Sequence, residues 1–252
     1  MHSTFFLARH FGSVVLLLAS LSCLGFATAQ DKKLESVSVS ETPITQGLKI
    51  CTCGHSFYYF MPPILAEMAK VGEIKGHEQV GQSYIGGSRI IQHWFDIYDV
   101  TFKLRPAKVD HNAITFEQLK KLHEPYFAGL DEHVRELNKK IGKEGVFIVP
   151  VGHAVNALRD KVIAGQSPGI TMQEDLFADP LGHVKGHVMA LNAYCHYAVI
   201  YCKNPVGLPV PSILKTAQLG DQEEKLNTLL QELAWEAVTQ HPLSGVKAEA
   251  KP

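Results

Sequence analysis

The sequence has almost no excess charge, since 24 lysine and arginine residues stand against 25 aspartate and glutamate residues. Because it has neither a surplus of basic residues nor a basic cluster, it lacks the positive charge with which nucleic-acid-binding proteins contact phosphates. It also lacks the compositional bias of disordered, collagen-like or coiled-coil chains, because 46% of the 252 residues are hydrophobic and 19% are charged. The composition therefore predicts a folded globular protein with no nucleic-acid partner.

The sequence has no hydrophobic run long enough to cross a bilayer. The longest, Val14 to Phe26, has about 13 residues, whereas a spanning helix needs about 20. Arg9 precedes this run and Ala27-Thr28-Ala29 follows it, in the order typical of a secretory signal peptide with a small-residue cleavage site. We therefore expect residues 1–29 to be a signal peptide and the protein to be secreted or periplasmic, with no membrane span after cleavage. An uncleaved anchor is the alternative, and the polar residues 30–47 predict a linker.

Cysteine is scarce, and only Cys51, Cys53, Cys195 and Cys202 follow the predicted cleavage site. An oxidising compartment permits disulfides between the two segments, although spacing alone does not fix their connectivity. The favoured interpretation is four buried thiols that pack as small apolar side chains.

Predicted strands alternate with predicted helices along the mature chain. Residues 48–53 and 79–85 form short strand-like runs that end at glycine, Tyr98 to Leu104 alternates apolar and polar residues, and residues 146–151 are apolar throughout. An unbroken apolar run is typical of a parallel strand covered on both faces. Helices are predicted at 62–71, from a Thr115–Gln118 capping box to Pro125, from Phe127 to Ile141, at 187–201, and after a cap at Asp221 and Glu224. We therefore expect an α/β fold with a mostly parallel sheet.

Two polar segments fall where ligands bind in such folds, beyond the carboxyl ends of strands. Gly54-His55-Ser56-Phe57 follows the first strand, and Asp179-Pro180-Leu181-Gly182-His183 precedes the 187–201 helix. A serine at a strand-to-helix turn can act as a nucleophile, and a histidine oriented by an aspartate can be its base. Each segment alone is equally compatible with an ordinary turn or helix cap.

Together with Tyr84-Ile85-Gly86-Gly87-Ser88, these segments resemble the sequence blocks of the SGNH (GDSL-like) hydrolases. The resemblance extends over residues 48 to 201. It implies a three-layer αβα sandwich of the flavodoxin-like, SGNH type at 48–215, followed by a C-terminal helical extension at 216–252.

The same resemblance implies the roles of individual residues. Ser56 would be the nucleophile, His183 the general base and Asp179 the residue that orients the histidine. The backbone N–H groups of Ser56 and Gly87 would form the oxyanion hole. The implied activity is hydrolysis of carboxylic esters, first of all acetyl esters of carbohydrates, with a small-molecule or glycan ester as partner and no cofactor.

The sequence departs from the family in two places. No Gly-x-Asn, the family's third block, occurs between Ile91 and Val146, and the stretch from Trp94 to Thr115 is too short for a β–α–β crossover. The domain is thus expected to be short by one β–α unit. In addition, three residues separate Asp179 from His183 instead of the family's two.

These departures keep a second function open. Because loss of one oxyanion donor lowers turnover by about 10²–10³-fold, the chain could be an inactive glycan-binding relative. His93-Trp94-Phe95 would then supply an aromatic platform for a sugar ring.

The 13 histidines raise a third alternative, a metal-binding protein. His183 and His187 have the i, i+4 spacing of helical zinc ligands, but Gly182 and Gly186 disfavour a helix there, and the sequence has no Cys-x-x-Cys or His-Glu-x-x-His motif. We predict no metal site.

Overall fold

The computed structural model describes residues 43–84, 110–179 and 182–247. These residues combine helices with a small parallel sheet, which places the chain in the α/β class. The predicted signal peptide, the Tyr98–Leu104 strand and Gly87 lie outside the described residues. The strands are β1 (Lys49–Gly54) and β2 (Glu78–Tyr84), and the helices are α1 (Met61–Val71), α2 (Phe116–Ile141), α3 (Val151–Ile163), α4 (Gly186–Tyr201), α5 (Ser212–Lys215) and α6 (Glu223–Gln240).

Strands β1 and β2 pair in parallel, with α1 as the connection between them. Lys49 lies opposite Glu78 and Gly54 lies opposite Tyr84, with an irregularity in the register after Ile50. Because the two strands run in the same direction, the segments that follow them begin at the same edge of the sheet. This confirms the strand predictions at 48–53 and, as far as Tyr84, at 79–85.

Helix α4 is the centre of the core. Between His187 and Tyr201 only Met189 is not buried, so that the helix has almost no solvent face. Helices α1, α3, α5 and α6 pack around it. A helix that is apolar on all sides is typical of such a central position, and the helix predicted at 187–201 is confirmed.

A buried polar network fixes α6 against α4. The Tyr194 hydroxyl donates to Asn227 Oδ1 (2.6 Å) and accepts from Gln231 Nε2 (3.2 Å). The same two amides donate to the carbonyl oxygen of Leu208 at 3.1 and 2.7 Å. Each buried polar atom loses its hydrogen bonds to water and needs a partner within the protein. This network therefore favours one rotation of α6 about its axis.

The strand predicted at 146–151 is not formed. Phe147, Ile148 and Val149 are buried but not in a strand, and the Ile148 N–H donates to Leu243 O (2.8 Å) in the C-terminal segment. The segment then enters α3 directly after Pro150. Its apolar character reflects burial beneath the C-terminal segment, and burial alone does not distinguish a strand from a covered loop.

The capping box at the start of α2 is confirmed, whereas the interruption at Pro125 is wrong. Gln118 N–H donates to Thr115 Oγ1 (3.3 Å), and Thr115 N–H donates to Gln118 Oε1 (2.8 Å). The helix then continues through Pro125 to Ile141. A proline inside a helix removes its own N–H from the hydrogen-bond ladder and crowds the carbonyl four residues earlier, yet this helix of 26 residues continues past it.

The cap predicted at the last helix is also wrong in detail. Asp221 lies in a 3₁₀ turn, Gly220–Gln222. Helix α6 begins at Glu223, and the side chain of its N-cap residue, Gln222, forms no capping hydrogen bond. The helix itself and its leucine-rich buried face are present.

No disulfide joins the four cysteines of the described residues, which fall into two environments. Cys195 and Cys202 are buried as predicted, but Cys51 and Cys53 are exposed within the described structure. The strand period of two explains this correction, because Ile50 and the residue two positions later point into the core while the cysteines point away. Within the described ranges, no helix combines the length and hydropathy needed to cross a bilayer.

The close approach at the start of α4 gives a first prediction. A Cβ at Gly186 would lie 2.6 Å from the carbonyl oxygen of Ile213, so Gly186→Ala should lower the free energy of unfolding by about 1–3 kcal/mol. The matched control is Gly129→Ala on α2, because a Cβ at Gly129 meets no atom within 4 Å. This variant should raise the free energy of unfolding by about 0.5–1 kcal/mol. Urea unfolding of both variants measures this, and equal effects would contradict the close packing at Gly186.

Buried His196 gives a second prediction. Its side chain is 2% exposed, packs against Tyr58 and bonds through Nδ1 to Asn192 O (2.9 Å). Burial lowers the pKa of His196 from 6.5 to about 4. The unfolded chain therefore binds the proton at higher pH than the folded chain. The contribution of His196 to the free energy of unfolding is fully present above pH 6.5 and is lost as the pH falls towards 4. This loss amounts to at most about 3 kcal/mol.

The measurement is urea unfolding at several pH values for the wild type and His196→Gln. The variant should show a shallower loss of stability between pH 6.5 and 4, whereas His133→Gln, at an exposed position of α2, should follow the wild type. An unchanged slope in His196→Gln would show that His196 does not contribute to acid sensitivity.

Candidate active site

Ser56 lies in the turn that connects β1 to α1. His55 O accepts from Tyr58 N–H (2.9 Å), and His55 Nδ1 accepts from Phe57 N–H (3.3 Å), which tightens the turn around the serine. Tyr58 is buried and anchors the turn on the core. Ser56 itself is half-buried, and neither its hydroxyl nor its N–H bonds to another described residue. Both groups are thus available, one as a nucleophile and the other as a hydrogen-bond donor.

Asp179 and His183 form a hydrogen-bonded pair. His183 Nδ1 donates to Asp179 Oδ2 at 2.5 Å, and the other oxygen, Oδ1, accepts from the N–H groups of Gly182 (2.9 Å) and His183 (3.1 Å). Gly182 has a φ of +88°, a conformation that glycine adopts readily. This turn accommodates the additional residue between the aspartate and the histidine.

Neighbouring backbone bonds hold the pair at the entrance of α4. Ala178 N–H donates to His183 O (2.6 Å), and Lys185 N–H donates to Leu176 O (3.0 Å). The chain therefore folds back on itself just before the central helix, with Asp179 and His183 both at its surface, 36% and 31% exposed.

The pair keeps the aspartate ionised. Burial pushes the pKa of Asp179 upward, but the hydrogen bonds from the ring and backbone of His183 and from Gly182 N–H lower it overall. An ionised Asp179 fixes the proton of His183 on Nδ1 and leaves Nε2 free to accept another.

Phe57 brings the two segments together. Its ring stacks on the ring of His183, with centroids 4.5 Å apart and planes 11° from parallel. Ser56 directly precedes Phe57, so the stack places the turn that carries the serine next to His183. The structure does not contain a hydrogen bond between Ser56 and His183. Such bonds are often long in unliganded enzymes and tighten only with substrate.

The structure pairs Asp179 with His183 and stacks Phe57, the residue after Ser56, on the histidine ring, and it shows no contact of Ser56 itself with the pair. Gly87, the predicted second oxyanion donor, lies outside the described residues, as do Trp94 and its aromatic neighbours.

Among the described residues, His183 and His187 do not have the arrangement that the metal-binding alternative requires. His183 precedes α4 and bonds to Asp179, whereas His187 lies in the helix and bonds through Nε2 to Asp175 O (2.7 Å). In the described part of the chain, no three histidine, cysteine or acidic side chains converge as metal ligands.

Sequence reasoning missed helix α3, which follows the covered 146–150 segment. Its buried residues Ala154, Leu158 and Val162 recur every four positions, which is the signal that could have found it. The helix also carries Arg159, a buried cation that no motif marks.

The chain matches no protein-family model, no curated protein and no solved structure. The similarity to SGNH hydrolases thus depends on the residues quoted above.

The ring stack gives a third prediction. An aromatic ring lying flat on His183 shields its carbon-bound protons, so Phe57→Leu should move the His183 Hε1 and Hδ2 resonances downfield. Tyr59→Leu is the control, because Tyr59 contacts Tyr84 and Phe60 instead. Two-dimensional NMR of the imidazole protons measures the shift, and identical His183 resonances in both variants would contradict the stack.

Proposed function

We propose that this protein is an exported serine hydrolase that cleaves carboxylic esters. The observation that carries the proposal is the 2.5 Å hydrogen bond between Asp179 and His183, together with the stack of the histidine ring on Phe57, the residue after Ser56. An aspartate-oriented histidine next to an unbonded serine at a strand-to-helix turn is the arrangement that acyl transfer requires. Residues 1–29, with their signal-peptide pattern, support export.

The reaction would proceed in two acyl-transfer steps. His183 Nε2 takes the proton of the Ser56 hydroxyl as Oγ attacks the ester carbonyl. The resulting oxyanion is stabilised by Ser56 N–H and, in this proposal, by Gly87 N–H. His183 then returns the proton to the departing alcohol, and a water molecule hydrolyses the acyl-serine by the reverse sequence. Asp179 stays ionised throughout and stabilises the imidazolium.

The proposed substrates are acetyl esters, first of all on carbohydrates, and the proposed domain is a three-layer α/β sandwich of the SGNH type, short by one β–α unit. The parallel β1–β2 pair and the position of Ser56 at its carboxyl edge support this architecture. The absent Gly-x-Asn block favours low turnover, because that block supplies an oxyanion donor in the family the chain resembles.

Hydrolysis of p-nitrophenyl acetate by residues 30–252 tests the proposal. Ser56→Ala should reduce kcat by at least about a thousandfold and Asp179→Asn by about 10²–10⁴-fold, because the first removes the nucleophile and the second the orientation of His183. Ser212→Ala, which changes an exposed serine bonded to Glu67, should keep wild-type activity.

Two results would contradict the proposal. Folded wild-type protein without measurable hydrolysis would favour the inactive glycan-binding alternative. Hydrolysis that survives in Ser56→Ala would place the nucleophile elsewhere.

A further inference from the structure

Phe57 also lines a cavity of about 170 Å³, whose wall contains neither Ser56 nor His183. The cavity lies between α2, α3 and the segments around Phe177 and His241. Apolar and aromatic side chains form most of its wall, among them Phe57, Phe127, Phe177, Val149, Val155 and Val188. Tyr126, which is 37% exposed, also lines it, so the cavity reaches the protein surface beside α2.

Arg159 is a buried cation that faces this cavity. Its side chain is only 7% exposed. Nε donates to Gln173 Oε1 (2.7 Å), Nη2 donates to the His111 carbonyl oxygen (3.2 Å), and the guanidinium lies 5.5 Å from the Phe177 ring centroid. These partners are all neutral, and no carboxylate among the described residues forms an ion pair with Arg159. Burial lowers the pKa of Arg159 to about 10, which still leaves the group charged at neutral pH.

The carboxylate of Asp131, which lines the cavity, already has two partners. Asp131 Oδ1 lies 3.3 Å from His241 Nε2, and Oδ2 lies 3.3 Å from Arg135 Nη2. The nearby His153 adds no second positive charge, because burial lowers its pKa to about 4 and the ring stacks on Phe127 as a neutral group. Arg159 therefore remains the uncompensated charge of the described cavity wall.

One polar atom of His111, which also lines the cavity, lacks a partner. His111 stacks on Phe177 with centroids 4.3 Å apart, and its Nε2 is buried without a hydrogen bond. Buried polar atoms are nearly always satisfied by protein, water or ligand. An unmatched guanidinium and an unmatched imidazole nitrogen in one apolar cavity point to a ligand with a polar, anionic end.

We propose that this cavity binds a small monocarboxylic acid with an apolar or aromatic body. Two of the five guanidinium N–H groups are occupied, and the remaining three can hold a carboxylate. The aromatic and valine side chains would cover the body of the ligand, whereas an inorganic anion would leave that wall unfilled. The proposal goes beyond ester hydrolysis, since neither Ser56 nor His183 lines the cavity.

Calorimetric titration of the full mature chain with benzoate and with benzamide tests the charge requirement. The two probes share one shape, but only benzoate is anionic. Benzoate should bind at least about tenfold more tightly, because a charge-assisted hydrogen bond to buried arginine exceeds a neutral one. Equal affinities, or no benzoate binding at about 10 mM by a folded wild-type protein, would overturn the proposal.

Variants locate the site. Arg159→Gln should weaken benzoate binding at least about tenfold and leave benzamide binding unchanged, and unchanged benzoate binding would overturn the proposal. Lys161→Gln is the control, because it removes one positive charge from α3 at a position outside the cavity wall. Should Arg159→Gln fail to fold, Val155→Phe keeps the arginine and fills the cavity. Loss of benzoate binding in that variant supports the site, and retention refutes it.

Ser56→Ala separates the two proposals. It should bind benzoate like the wild type even when hydrolysis is lost, because the serine is not part of the cavity. A parallel loss of benzoate binding would place benzoate at the ester site and overturn the separate cavity.

Discussion

Helix α4 has almost no surface in contact with solvent, and most of the described structure depends on this burial. Side chains such as Leu191, Tyr194 and Tyr197 are fully buried and must be covered on all sides by the neighbouring helices. A long buried side chain stabilises the fold by about 1.5–3 kcal/mol when its apolar surface is removed from water. The surrounding helices thus derive their positions from α4. The Tyr194 network then restricts α6 to one orientation, because a rotated α6 would leave buried polar atoms without partners.

The candidate active site is built against the end of this rigid helix. The turn with Asp179 and His183 is bonded directly ahead of α4, and the turn with Ser56 is anchored by Tyr58, which packs on the same helix through His196. Two turns from distant parts of the chain are therefore positioned by one common element. Sites supported in this way hold their side chains more precisely than sites on unsupported loops.

The same scaffold provides two chemically different environments, both in contact with Phe57. The Asp179–His183 pair is partly exposed, so water and substrate can reach it. Arg159 is enclosed by apolar rings and keeps its charge without an acidic partner in the described structure. Burial of an unpaired charge is expensive, and the surrounding fold compensates for that cost.

Features that depend only on residues close together in the chain could be predicted from the sequence. The Thr115 capping box, the largely apolar character of α4 and the short spacing from Asp179 to His183 are local features of the sequence, and the structure forms each of them. Tertiary structure decided the rest. An apolar run such as 146–151 becomes a strand only if another strand pairs with it, and here Leu243 contacts it instead. The Phe57 stack and the isolation of Arg159 likewise join residues far apart in the chain, so no local pattern encodes them.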